Sequence, residues 1–556
     1  MDGAVYQIYV RSFYDSDGDG CGDLRGIIEK LPYIASLGVR YIWLTPFFPS
    51  PQRDNGYDVS DYLGVDPAFG SMGDFEELAA SAKKSGVGLI LDMVFNHTST
   101  EHPWFKKAIA GDARYRDYYF FREGKPDGSP PCNWESKFGG PAWEKLPGGG
   151  EYYLHLYSEG QADLNWRNPD VRRELGDILR FWMKKGAEGF RFDVINVIAK
   201  PEVFEDDTYG DGRRFYTDGP EMESYLKEIN RTISGANEGA APLLLVGELS
   251  STSPEKCVRY CRRGAGELSM VFHFHHLKAD YPGGEKWVPG GADISLLHDL
   301  MHGWQTVMCE NDAWDALFWN NHDQPRAIGR FASDKKEFHY HSATMLAATM
   351  HFMRGTPYIY MGEEIGMTDP GFAAISDYRD VETLNFHDIL RKNGSTEEEA
   401  MAVIKRRSRD NGRVPMQWTD GPNAGFTDGT PWINAASNRS WINVKSEESK
   451  KDGVLSFYKH LIALRKEVEV IQNGDYKPFL RDAGSVFAFL RENESHYLMC
   501  VNNYSDKIIT LPKSRFDSFA EMNPEVLASN YGVPGVDFNH GVELRPYETL
   551  AVLLRK

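Results

Sequence analysis

PDVRRELGDILRFWMKKGAEGFRFDVI, residues 169–195, runs from a stretch of helical period through a glycine into a short aromatic and β-branched run that ends on Asp193. The same alternation recurs along most of the chain. Strand-like runs lie at 4–10, 39–46, 87–95, 188–195, 242–249, 268–274, 316–323 and 355–364, and helix-period stretches at 24–38, 74–86, 169–186 and 342–355 fall between them. Continuously apolar strands separated by helices predict parallel βαβ units buried on both faces. Eight such units predict an α/β fold closed as a (β/α)8 TIM barrel rather than an open doubly wound sheet.

Two intervals break the rhythm. From about Thr98 to Asn168 the chain is rich in Gly, Pro, Trp and Tyr without helical period, which predicts an irregular domain of residues 98–168 inserted after the third strand. The polar stretch 365–453 reads as loops over the barrel mouth. After Gly474, short alternating runs with turn residues between them predict a C-terminal β-sandwich over 475–556, leaving 1–97 and 169–474 to the barrel.

A chain of 556 residues exceeds what one core usually serves, and a hydrophobic content of 41% with 26% charged residues is ordinary for a globular protein. The net charge of −19 argues against nucleic acid as a partner and leaves room for a small anion only in a local basic pocket. No apolar run is long enough to span a bilayer, and the first residues lack a signal-peptide pattern, so no membrane partner and a cytoplasmic location are expected. Six scattered cysteines fit reduced thiols, with Cys257 and Cys261 as helix-packing residues. A monomer or weak oligomer is expected.

Polar residues at the carboxyl ends of barrel strands carry chemistry. Here the third strand supplies Asp92, Asn96 and His97; the fourth ends in Arg191 and Asp193; the fifth ends in Glu248; the seventh ends in His322 and Asp323. Any one carboxylate is equally well a helix cap or half of an ion pair, but carboxylates on strands four, five and seven converge on one mouth. Glycosidic cleavage uses such a pair, one carboxylate attacking the anomeric carbon and a protonated partner serving the leaving oxygen, without a cofactor. Arg191, two residues before Asp193 on the same strand face, would favour its ionised form.

The segments DMVFNH (92–97), GFRFDVIN (189–196), VGELS (246–250) and NNHDQPR (320–326) resemble the four signature regions of the α-amylase superfamily, glycoside hydrolase family 13, in order and spacing. The resemblance implies Asp193 as nucleophile, Glu248 as general acid/base and Asp323 as the third carboxylate, which holds sugar hydroxyls. It further implies that His97 and His322 bind hydroxyls of the cleaved glucose, with Arg191 supporting Asp193. QRDNGYD (52–58) resembles the loop that closes the glucose pocket, with Tyr57 stacking and Asp54 binding hydroxyls, and in SRDNGRVPMQW (408–418) Arg413 would complete it. A pocket closed in this way implies exo-action on a short substrate.

Val194 resembles the oligo-1,6-glucosidase side of the family, though a β-branched residue there also suits plain strand packing. Longer stretches, above all HFHHLKADYPGGEKW (273–287), resemble the branch that hydrolyses trehalose 6-phosphate, which implies a phosphorylated disaccharide as the small-molecule substrate. A phosphate asks for basic residues at the aglycone end; Lys278 and Lys286 are the candidates, and a solvated loop face is the alternative. Glu221 departs from that branch, standing where an arginine is common. DSDGDGCGD (15–23) resembles the structural calcium loop of oligo-1,6-glucosidases, with Asp15, Asp17, Asp19, Asp23 and the Cys21 carbonyl as ligands; an Asx-turn loop is the alternative. The competing readings are an oligo-1,6-glucosidase, a sucrose isomerase, and a non-catalytic amylase-like protein.

Overall fold

The computed structural model describes residues 3–556 except Glu238, Ala240, Val533 and Pro534. The eight expected parallel strands form: β1 (Val5–Ile8), β2 (Tyr41–Leu44), β3 (Gly88–Met93), β4 (Gly189–Phe192), β5 (Leu244–Glu248), β6 (Met270–Phe272), β7 (Ala316–Leu317) and β8 (Thr356–Tyr360). They lie in the order β6-β5-β4-β3-β2-β1-β8-β7. A parallel bridge between Val271 and Asp315 joins the two ends and all but closes the barrel. Seven of the eight are buried along their whole length, β2 being half-buried at Tyr41, which is why they read as unbroken apolar runs.

Helices between the strands form where the helical period predicted them, and the first three open on side-chain caps. Asp23 caps Leu24–Ser36, and a reciprocal Ser71–Asp74 box opens Met72–Lys84. Pro169–Lys184 starts at the Asn168 cap and buries Val171, Leu175, Ile178, Leu179 and Trp182. Trp182 packs on Phe47, Phe48 and Phe75, ring centroids 4.9–5.5 Å apart, fixing this helix to the outside of the barrel.

Two expectations are corrected. The run 316–323 holds only two strand residues, because side chains outcompete the ladder: His276 Nε2 bonds to the Phe318 carbonyl at 2.9 Å and Asn320 Oδ1 accepts the Ala327 N–H at 2.7 Å. That early turn delivers His322 and Asp323 to the mouth. The stretch 365–453 is not merely loops: it contains helices Val381–Lys392 and Glu397–Arg407, the second with a Thr396–Glu399 capping box, acidic first turn and basic last turn.

Between β3 and β4 the chain forms an antiparallel pair, His97–Ser99 with Gln161–Asp163, and a three-stranded sheet of Phe121–Glu123, Glu151–Leu154 and Trp143–Lys145, with a short helix at Pro103–Ile109. At the C-terminus the segments 475–479, 486–492, 496–503, 524–529 and 549–555 form a five-stranded antiparallel sheet, irregular only between Val526 and Ala528 among the described residues. Val486, Ala488 and Leu490 face a two-stranded ribbon, Ile509–Leu511 with Val542–Leu544, which is the second layer of the expected sandwich; Phe487 and Phe489 face the barrel. No helix among the described residues is long and apolar enough to cross a membrane.

The inserted segment is anchored by a fully buried ion pair, Lys200 Nζ to Asp163 Oδ2 at 2.6 Å, with Asn96 also accepting from Lys200. Removing one partner strands the other charge. Lys200→Met is expected to cost about 3–5 kcal/mol in chemical denaturation, and Lys200→Met/Asp163→Asn clearly less. Equal losses in the two variants would contradict a pair-based anchor.

Candidate active site

Arg191 points from β4 into the floor of the barrel mouth, almost fully buried. Its Nη1 lies 2.6 Å from Asp92 Oδ1 and 2.8 Å from Asp193 Oδ1, and its Nη2 donates to Glu248 Oε2. The indole of Trp43 lies under the guanidinium at 5.0 Å. Asp92 also accepts from Tyr57 OH at 2.9 Å and Trp43 Nε1 at 3.2 Å. One cation therefore holds carboxyls from β3, from the end of β4, and from β5. Burial pushes Asp92 and Asp193 upward while the guanidinium pulls both down.

Asp193 is aimed by a bend. Its N–H bonds to Met93 O at 3.0 Å, and Val194 then adopts φ 38°, a left-handed conformation that a β-branched residue strongly resists. Just beyond, Asn196 and Ser250 exchange two 2.8 Å hydrogen bonds, locking the turn after β4 to the residue two beyond Glu248.

A second basic layer carries Asp323. Arg413 Nη2 lies 2.8 Å and Arg409 Nη1 3.2 Å from Asp323 Oδ1, and His322 Nε2 lies 3.1 Å from Oδ2. Burial opposes ionisation, yet His322, Arg409 and Arg413 outweigh it and hold Asp323 well below the usual carboxylate range. Arg409 also contacts Asp54 at 3.2 Å, Asp380 at 2.5 Å and Glu382 at 3.3 Å. Burial raises Asp54 to about 7 against the pull of Arg409 and Arg413.

Of the residues expected at the site, Asp54, Tyr57, His97, Asp193, Glu248, Asp323, Lys278 and Lys286 line one cavity of about 240 Å³. Arg191, His322 and Arg413 stand behind its wall: the Tyr57 ring covers His322, the two rings parallel and 5.0 Å apart, and Arg413 is wholly buried. The two lysines differ. Lys286 is bonded to both oxygens of Glu382 at 2.7 and 2.9 Å, whereas Lys278 makes no ion pair among the described residues. His276 is occupied by Phe318, and His275 packs on Trp304. Glu221 lies off the cavity, 3.4 Å from Arg167.

Sequence reasoning missed Arg409, Glu382 and Lys137 as cavity residues. Arg409 stands in the motif read for Arg413, and the capping box at Thr396 could have exposed the helix that leads to it. Nothing local marks Lys137.

In the aspartate loop, Asp15, Asp17 and Asp19 bring carboxylate oxygens within 4.8 Å of one another. Asp23 points elsewhere, accepting from Gly26 N at 2.7 Å and Ser16 N at 2.7 Å as the helix cap. Cys21 N bonds to Asp19 Oδ1 at 2.7 Å.

An eight-stranded barrel with converging carboxylates at the ends of β4, β5 and after β7 defines an α-amylase-type protein. The chain belongs to that family: residues 7–474 match the alpha amylase catalytic domain. It is 50% identical over 508 residues to the trehalose-6-phosphate hydrolase of Escherichia coli (strain K12), covering 91% of each chain. It is 44% identical to the oligo-1,6-glucosidase of Parageobacillus thermoglucosidasius, covering 100% of this chain and 98% of that one. The crystal structure of Bacillus licheniformis trehalose-6-phosphate hydrolase matches with a TM-score of 0.94 at 47% identity, covering 100% of this chain and 99% of that one.

Arg409 depresses Asp323, so its loss raises the carboxyl and protonation sets in at higher pH. Arg409→Met is expected to move the acid limb of the kcat/KM profile upward; an unmoved limb in the variant would show that Asp323 does not set it.

Proposed function

We propose that this protein is a retaining, exo-acting α-glucoside hydrolase that cleaves trehalose 6-phosphate to glucose and glucose 6-phosphate. The observation that carries the reading is a cavity in which Asp193 and Glu248 share one guanidinium at the closed end, while Lys278 stands without an acidic partner among the cavity residues. Two carboxyls on one guanidinium fit the short separation of retaining enzymes, about 5 Å, which leaves no room for a water between nucleophile and sugar.

Asp193 attacks the anomeric carbon as Glu248 gives its proton to the glycosidic oxygen, releasing glucose 6-phosphate and leaving a glucosyl ester on Asp193. Glu248 then takes a proton from water, whose oxygen displaces Asp193 and frees α-glucose. Asp323, ionised by its basic neighbours, and Asp54 accept hydroxyls of the bound glucose, Tyr57 covers its face, and His97 lines the same wall. His322, Arg191 and Arg413 hold these groups from behind.

Oligo-1,6-glucosidase is the second reading, favoured by Val194 in the cavity wall and by the neutralisation of Lys286 by Glu382. Measuring kcat/KM on trehalose 6-phosphate, trehalose and isomaltose in parallel separates the two. A preference for the phosphorylated sugar that falls in Lys278→Ala supports the first; isomaltose preferred, with the variant unchanged, establishes the second. Asp193→Asn and Glu248→Gln are expected to lower kcat on substrates with poor leaving groups by about 10³-fold or more. Near-full activity in either would end the catalytic assignment.

We also propose that Asp15, Asp17 and Asp19 hold a structural Ca²⁺, for which three converging carboxylates are a suitable oxygen set; it would brace the loop after β1 and take no part in bond cleavage. Chelation is then expected to lower Tm, with recovery on adding Ca²⁺ and neither effect in Asp17→Asn/Asp19→Asn. An unchanged Tm would favour a plain Asx-turn loop.

A further inference from the structure

One basic side chain of the cavity has no part in the chemistry above: Lys137, from the segment between β3 and β4. Its backbone is pinned, with Lys137 N bonded to Leu156 O at 2.9 Å and the Ser136 hydroxyl donating to Tyr157 O at 2.6 Å. Its ammonium lies 5.6 Å from the Tyr157 ring centroid and 5.8 Å from that of Tyr216, and donates to Ser250 Oγ at 2.8 Å. Ser250 lines the same cavity, two residues beyond Glu248. Among the described residues Lys137 makes no ion pair.

The charges facing Lys137 are mostly of its own sign. Arg213, Lys278 and Lys200 repel it, and the one acid in the set, Asp211, is bonded to Arg213 at 2.7 Å. Burial, aided by those cations, pushes the Lys137 ammonium down to about 7; burial and Arg213 push Lys278 down too. Lys200 is paired with Asp163 and Arg213 with Asp211, which leaves Lys137 and Lys278 as the lysines of the cavity without an acidic partner among the described residues, a mismatch that a ligand's negative charge would relieve. Lys286 differs, because it is already bonded to Glu382, and drawing it away would leave Glu382 with Arg409 alone.

We infer that Lys137 and Lys278 together grip the dianionic phosphate monoester of the aglycone sugar, with Ser250 Oγ as an adjoining hydroxyl donor, while Lys286 keeps Glu382 and Arg409 in place. The inference rests on the reading that the substrate is phosphorylated. It makes Lys137 a specificity-determining residue contributed by the inserted segment, so that the anion ties that segment to the turn after β6. It also gives recognition a pH dependence. A lysine held low is charged below about 7 and loses its charge above it, whereas a phosphate monoester carries about −1.5 to −2 at pH 7 and more above.

The test compares wild type, Lys137→Met and Lys137→Arg on trehalose 6-phosphate and on p-nitrophenyl α-glucoside, with inorganic phosphate as inhibitor. For Lys137→Met the loss in kcat/KM on trehalose 6-phosphate is expected to exceed any loss on the neutral glucoside by about 10- to 100-fold, the size of a charge-assisted hydrogen bond, and to lie mainly in KM. Lys137→Arg recovers part of it, and inhibition by phosphate weakens in parallel in Lys137→Met. In wild type, kcat/KM for the phosphorylated sugar falls relative to the neutral one as pH rises through about 7, and this relative fall is absent in Lys137→Met. A wild-type preference for the phosphorylated sugar that survives intact in Lys137→Met overturns the inference and leaves the proposed function standing. A wild type without that preference overturns both.

Discussion

Everything at the barrel mouth depends on the burial of one guanidinium among three carboxyls. Arg191 is a single positive charge, and Asp92, Asp193 and Glu248 together would carry three negative ones in a largely buried space at the base of the cavity. Full ionisation is therefore disfavoured, and burial shows its effect in the upward push on Asp92 and Asp193. A proton retained among these groups is what an acid-assisted departure of a sugar requires. The same cation opposes protonation of all three carboxyls, which is the mixed state that the proposed division of roles between Asp193 and Glu248 requires.

A second network extends that arrangement outward. Arg409 joins Asp323 and Asp54, which line the cavity, to Glu382 and through it to Lys286, which lies in the cavity wall with Lys278. Lys286 is thus connected by direct contacts to Asp323 and Asp54. Asp380, fully buried between Arg409 and Arg413, keeps the two arginines from repelling each other apart. Val194 contributes in another way: its left-handed backbone is unfavourable in isolation and is maintained because β4 must end sharply for Asp193 to leave the sheet and enter the cavity.

Much of this was legible from the chain alone. Strands buried on both faces leave unbroken apolar runs, and capped helices leave periodicity with polar ends, so the barrel and its order could be read; the carboxylates at the ends of β4 and β5 followed from their place after those runs. The run 316–323 reads as a full strand because Phe318 and Asn320 look like sheet residues until His276 and Ala327 claim their polar groups. The helices within 365–453 are masked in the sequence by the many turn residues around them, despite the Thr396–Glu399 box.

The sequence by itself determined the parallel barrel, the family and the carboxylates at the strand ends, since these depend on local pattern and on position along each strand. Tertiary structure decided which charges meet. That Arg409 lines the cavity while Arg413 stands behind it, that Lys286 is neutralised by Glu382 while Lys278 is not, that Asp23 caps a helix, and that Lys137 arrives from the inserted segment more than a hundred residues away from Ser250 are all facts of through-space distance. Coulombic attraction and desolvation act over a few ångströms in space regardless of separation along the chain, so no local reading of the sequence could apportion them.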